Sequence, residues 1–123
     1  MADEAADFSQ MVRGLGVVMR YRSGDVLFRE GETPTYMYFV LSGEVEMSSR
    51  GKFIEKIDSG RAMGAISMID QNPRSATATA LVDTEVALID QKKFRFMVEE
   101  VPNFVWYVMG LLVKRLRATN DAL

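Results

Sequence analysis

The sequence predicts a mainly β domain: a small rolled or closed sheet with one short helix before it and helices after it. Three observations carry this expectation. Short apolar or alternating runs recur at regular spacing between residues 17 and 89, separated by turns rich in glycine, serine and aspartate. After Asp90 the apolar spacing changes to that of a helix. No repeat, low-complexity segment or linker divides the 123 residues, so one domain over residues 1–123 is expected.

The elements follow in order. Phe8, Met11, Val12 and Leu15 recur at helical spacing and place a short helix in residues 1–15, with Gly14 and Gly16 expected to stop it. Residues 16–90 hold the rolled sheet. Val17 to Tyr21 and Val26 to Phe28 flank the turn Arg22-Ser23-Gly24-Asp25. Tyr36 to Leu41 is a continuous apolar run, as a strand buried on both faces requires. Glu44 to Ser48 alternates, with Val45 and Met47 expected inward and the glutamates outward. Arg50-Gly51 reads as a hairpin turn into Phe53 to Ile57. Thr77 to Val82 and Glu85 to Ile89 complete seven or eight strands. Residues 91–120 are then helical: Asp90 is placed to cap Gln91 to Glu100, Val101-Pro102 breaks the chain direction, and a longer helix starts near Asn103.

Composition removes whole classes of chemistry. The chain has no cysteine and no histidine, so thiol nucleophiles, thiolate metal sites and imidazole bases are excluded. No metal and no enzymatic activity are expected. A net charge of −2 gives no global field for a polyanion. The N-terminus Met1-Ala2-Asp3-Glu4-Ala5 lacks the basic start of a secretory signal, and no apolar run reaches the roughly 18 residues of a membrane span. A cytoplasmic protein that neither enters membranes nor binds DNA directly is expected.

One stretch has the residue types of an anion site. Between residues 60 and 80, Gly60 and Gly64 bracket a turn, a helix of barely one turn follows, and Asn72-Pro73 bends the chain before Arg74. Freed backbone amides facing one arginine can hold an anion. That arrangement binds. It carries no nucleophile or base.

Taken together these residues resemble the cyclic nucleotide-binding domain family, and within it the catabolite activator protein branch. Arg22 to Glu32 is similar to the family's opening glycine-spaced strands, and Tyr36 to Val45 to its next pair. Gly64 to Ala76 resembles its phosphate-binding cassette, placed here within residues 60–77. The resemblance implies a cyclic-nucleotide-binding-type β-roll, a double-stranded jelly-roll-like fold, with cyclic AMP or cyclic GMP as ligand and no cofactor. The implied contacts are Gly64, Ala65, Ile66, Ser67, Arg74, Ser75 and Ala76. Arg74 would pair with the cyclic phosphate, and amides near Ser67, Ser75 and Ala76 would complete the cage. Thr119 falls where the branch has a threonine that reaches the purine, and Asn120 where it has a serine contacting the base in the neighbouring subunit.

One position departs from the family pattern. Ala65 stands where a glutamate accepts from the ribose 2′-hydroxyl, and a methyl group accepts nothing. Losing such a charge-assisted bond costs about 1.5–3 kcal/mol, one to two decades in affinity. The phosphate can still be read, the ligand can lack that hydroxyl, or the site can be retired.

The last helix points outward. From Phe104 to Val113 it has no polar face over its first half, more than one β-roll can cover. A homodimer through residues 104–116 is the expected solution; covering by the shorter helices within one subunit is the alternative. Lys114, Arg115 and Arg117 read as charges suited to a helix C-terminus. The primary reading is a cyclic-nucleotide-responsive regulatory domain with an unidentified downstream protein partner. The second is a degenerate β-roll that has become a structural or protein-interaction module.

Overall fold

In the computed structural model the chain is described over residues 4–121, with side-chain environments described for residues 8–117. Its elements are α1 (Glu4–Leu15), β1 (Val17–Tyr21), β2 (Val26–Phe28), β3 (Tyr36–Ser42), β4 (Glu44–Ser49), β5 (Lys52–Asp58), β6 (Ala62–Met63), α2 (Ala65–Asp70), β7 (Thr77–Ala80), β8 (Thr84–Asp90), α3 (Gln91–Glu100) and α4 (Phe104–Asp121). The strands form two antiparallel four-stranded sheets, ordered β1-β8-β3-β6 and β2-β7-β4-β5. This is the mainly β roll with flanking helices that the sequence predicts.

Two cores hold it together, and β3 and β8 belong to both. Tyr38 and Val40 of β3, with Val86 and Leu88 of β8, face the second sheet, meeting Phe28, Val45, Met47 and Ile57. Met37 and Phe39, with Ala87 and Ile89, face the opposite way onto the helices, against Phe8, Val12, Phe94, Met97 and Phe104. A strand buried on both faces has no polar alternation to display, which is why residues 36–41 read as one apolar run. Ring contacts tie the helices into a unit: Phe104 meets Phe8 edge-on at 5.5 Å and Phe94 at 5.9 Å.

Local chemistry sets the boundaries. The Asp90 side chain accepts from the Lys93 backbone amide at 2.8 Å and caps α3. Arg50 and Gly51 both take positive φ, giving β4 and β5 a two-residue turn. At Gly43, between β3 and β4, φ is +96° and an added Cβ would lie 2.4 Å from the Thr84 hydroxyl, so only glycine fits. Glycine 14 does not stop α1, which runs to Leu15. The strand that starts at Thr77 ends at Ala80 rather than Val82. Ala62-Met63 adds a short strand that pairs with β3, as Tyr38–Met63 and Phe39–Ala62.

Among the described residues no single helix is long and apolar enough to cross a membrane. No group of three or more carboxylates there could hold a metal ion.

Candidate functional site

A cavity of about 230 Å³ opens between the inner face of the roll, the α2 segment and α4. Its lining joins Phe28, Met47, Ile57 and Met63 from the strands, the run from Ala62 to Ser67, Arg74 to Ala76, and Leu111, Lys114 and Arg115 from α4. The structure thus brings together Gly64, Ala65, Ile66, Ser67, Arg74, Ser75 and Ala76, seven residues that the sequence singles out. Thr119 and Asn120 fall in the last turns of α4, and their side chains lie outside the described residues.

Arg74 organises the base of this cavity. Its backbone is held by the loop after β2: the Arg74 amide donates to Glu32 O at 2.8 Å, and the Gly31 amide donates to Arg74 O at 2.8 Å. Its guanidinium is buried, lies 4.3 Å over the Phe28 ring and 5.7 Å from the Tyr38 ring, and donates to the carbonyls of Tyr36 and Gly64. Burial lowers the arginine's pKa, opposed by Tyr38 and Glu32; burial also pushes the Tyr38 phenol up to about 12. The cation is therefore stabilised by two ring faces and two carbonyls, and it makes no salt bridge to a carboxylate among the described residues. A phosphate entering here would meet an arginine already aimed at the α2 segment.

Gly64 makes that geometry possible. It caps α2 with φ +82°, and a Cβ on it would sit 2.5 Å from Arg74 Nη1. Ala65 is buried at the first position of α2 and presents a methyl group to the cavity wall. Ser75 is exposed while Ala76 is buried, which sets the cavity lip at the bend before β7.

Sequence reasoning placed Thr119 and Asn120 of the last helix at the site but did not single out Leu111, Lys114 and Arg115, or the β5 side of the lining. Lys114 and Arg115, read as helix-end charges, line the cavity with Leu111; their three- and four-residue spacing from Leu111 was the available signal. Arg61 and Glu55 also line it and pair at 3.2 Å. Glu55 lies within β5 and Arg61 just before β6, and they carry no motif. α4 is tied to the same wall by the Ala62 amide, which donates to the Tyr107 hydroxyl at 2.9 Å.

Fold, cavity and cassette define a small-ligand-binding β-roll, and comparison with known proteins gives the class a family. A model of the cyclic nucleotide-binding domain matches residues 18–101, more than half of the chain. The chain belongs to the cyclic nucleotide-binding domain family. It is similar to a CRP-like cAMP-activated global transcriptional regulator of Mycobacterium tuberculosis, 26% identical over 105 residues, covering 81% of this chain and 47% of that protein. The structure of Thermus thermophilus catabolite activator protein shares the fold, with a TM-score of 0.81 at 24% identity over 99% of this chain and 58% of that one. The N-terminal domain of a transcriptional regulator from Streptomyces coelicolor A3(2) superposes with a TM-score of 0.68 at 26% identity, covering 95% of this chain and 85% of that one. The chain spans about half the length of these curated relatives.

Proposed function

We propose that this chain is a cyclic-nucleotide-responsive regulatory domain that binds cyclic AMP or cyclic GMP in the cavity described above. The observation that carries the reading is Arg74, a buried cation at the base of the cavity beside the Gly64–Ser67 and Ser75–Ala76 backbone. A desolvated guanidinium with fixed neighbours is the group that best discriminates a phosphate from water. The name of the mycobacterial relative, cAMP-activated, supports the ligand class.

In this reading the cyclic phosphate sits at Arg74 and the amides of Ser75 and Ala76, while Gly64, Ala65, Ile66 and Ser67 face the sugar. The base lies toward Leu111 and the end of α4, where Thr119 and Asn120 follow in the chain. Ligand binding fixes α4 against the roll, and the signal leaves through the outer face of that helix. On that face Val105, Met109, Val113 and Leu116 recur at intervals of four, four and three, a spacing that keeps them on one side of the helix. Homodimerisation through residues 104–116 follows. The domain acts in the cytoplasm on a protein partner, without catalysing a reaction and without touching DNA itself.

A second reading is favoured by two specific observations. Ala65 offers no acceptor, and the Arg74 donors already serve two carbonyls. A retired sensor that keeps its fold as an interaction module would have both. Isothermal titration with cyclic AMP and cyclic GMP decides between the readings, using wild type, Arg74→Ala and Ala65→Glu. Binding that is lost in Arg74→Ala and tightened about ten- to a hundredfold by Ala65→Glu supports the sensor. No heat with either nucleotide, unrestored by Ala65→Glu, overturns it in favour of the interaction module.

A further inference from the structure

Arg74 stands in a loop, and two rings from the sheets border its charge. The guanidinium carbon lies 4.3 Å from the Phe28 ring centre and 5.7 Å from that of Tyr38. The two rings are 5.3 Å apart and inclined at 42°, so they form a corner rather than a flat stack. Both are buried, and each belongs to a different sheet: Phe28 pairs with Ala78 of β7, and Tyr38 with Met63 of β6 and Leu88 of β8. The Tyr38 phenol donates to Leu27 O at 3.4 Å, and the Tyr36 ring meets the Tyr38 ring edge-on at 6.3 Å. The corner is thus fixed by strand register, whereas the cation it borders is not.

Such a corner does what a carboxylate partner could not. A long cationic side chain loses rotamer freedom on being ordered, and a carboxylate that orders it also cancels its charge. Ring faces attract and orient a guanidinium without neutralising it. Among the described residues Arg74 makes no salt bridge, and its side chain donates only to the Gly64 and Tyr36 carbonyls, which leaves the rest of its donor fork open. Phe28, the ring nearer to the cation, also lines the cavity.

We propose that Phe28 and Tyr38 are positioning residues for ligand binding, whose rings set the plane of the Arg74 guanidinium and keep its charge available to an anion in the cavity. This rests on the reading that Arg74 holds the ligand's phosphate, and it deepens that reading by naming what prepares the arginine. Phe28 carries the larger share, because its ring is the closer.

Two measurements on the whole chain test this. In a proton–nitrogen spectrum the Arg74 Nε–Hε signal, identified by its loss in Arg74→Lys, should lie upfield of those of exposed arginines, shielded by the ring faces. Phe28→Leu should move that signal downfield and weaken calorimetric binding of cyclic AMP or cyclic GMP about tenfold. Tyr38→Leu should do both to a lesser degree, and Phe28→Tyr, which restores a ring, should recover both. Val86→Ala removes volume from the same core at a residue that does not line the cavity, so it should lower stability and leave binding as in wild type. An unshifted wild-type signal overturns the proposal whatever the nucleotide does. Wild-type affinity in Phe28→Leu, or in Tyr38→Leu should the first variant fail to fold by circular dichroism, overturns it and leaves the sensor reading intact. Binding weakened as much by Val86→Ala overturns it too, since core stability alone then sets affinity. No heat from wild type with either nucleotide removes the sensor reading and the proposal together.

Discussion

The Tyr107 hydroxyl on α4 accepts a hydrogen bond of 2.9 Å from the backbone amide of Ala62 in β6. Ala62 is two residues before Gly64, and Tyr107 is one turn before Leu111, so this bond joins the cassette to the helix that closes the cavity. The phenol is pushed up from its ordinary pKa by burial, while the Ala62 amide opposes that shift. Ring packing against Phe8 at 5.5 Å fixes the side chain from the other side.

Replacing Tyr107 with phenylalanine keeps the ring and deletes the acceptor. The buried Ala62 amide then loses its partner, which costs about 1–3 kcal/mol. Denaturant unfolding monitored at Trp106 should show the midpoint fall with an unchanged slope. A midpoint equal to wild type would mean that the bond contributes nothing.

Gly64→Ala tests how far Arg74 depends on its neighbour. The substitution places an L residue at φ +82° and puts a Cβ 2.5 Å from Arg74 Nη1. Backbone strain of about 1–3 kcal/mol is expected, together with displacement of the guanidinium from the Gly64 carbonyl. Thermal unfolding measures the first effect and nucleotide titration the second. Gly51→Ala, also at positive φ but with no atom within 4 Å of the added Cβ, is the control for strain alone. Equal losses of nucleotide binding in both variants would show that the Arg74 contact is irrelevant.

Buried Tyr38 and half-buried Tyr21 and Tyr107 make stability depend on alkaline pH. Desolvation raises Tyr38 to about 12 and raises Tyr21 and Tyr107 above the ordinary value of 10.0. A group that holds its proton more tightly when folded contributes stability that is complete below its unfolded pKa. That contribution is lost as pH rises through the folded value, because the unfolded chain gives up its proton first. Stability should therefore fall between about pH 10 and 12. Tyr38→Phe should flatten the fall, read as the pH dependence of the urea midpoint. An unchanged profile would place the sensitivity elsewhere.

The parts of the fold that were legible in the sequence are those where neighbours along the chain decide the outcome. The apolar run of β3, the Asp90 cap and the Arg50-Gly51 turn each carry their reason locally. Ala62-Met63 could not be read as a strand, since two residues show no periodicity and their pairing partner is β3, more than 20 residues earlier. Leu81 and Val82 look like strand residues, yet both are exposed in the turn before β8. The site divides in the same way. Gly64 to Ala76 is contiguous and so could be recognised, whereas Arg61, Glu55, Lys114 and Arg115 converge only once α4 is laid across the roll.

The outer face of α4 yields the last prediction. Phe104 and Val108 are buried against the roll, with Tyr107 and Leu111 beside them, whereas Trp106 is 65% exposed and Leu116 60%. Val105, Met109 and Val113 are exposed on that same outer side. α1 and α3 cover only the inner stripe, through Phe8 and Phe94. In the proposed dimer, this exposed apolar stripe, spaced four, four and three, would be covered by a second copy around a two-fold axis. Wild type should sediment as a dimer at micromolar concentration. Met109→Glu sets like charges face to face across that axis and should give a monomer. Because Met109 is exposed within one subunit, the variant should remain folded by circular dichroism, which separates loss of pairing from loss of fold. A wild-type chain that sediments as a monomer would show that this face meets something other than its own copy.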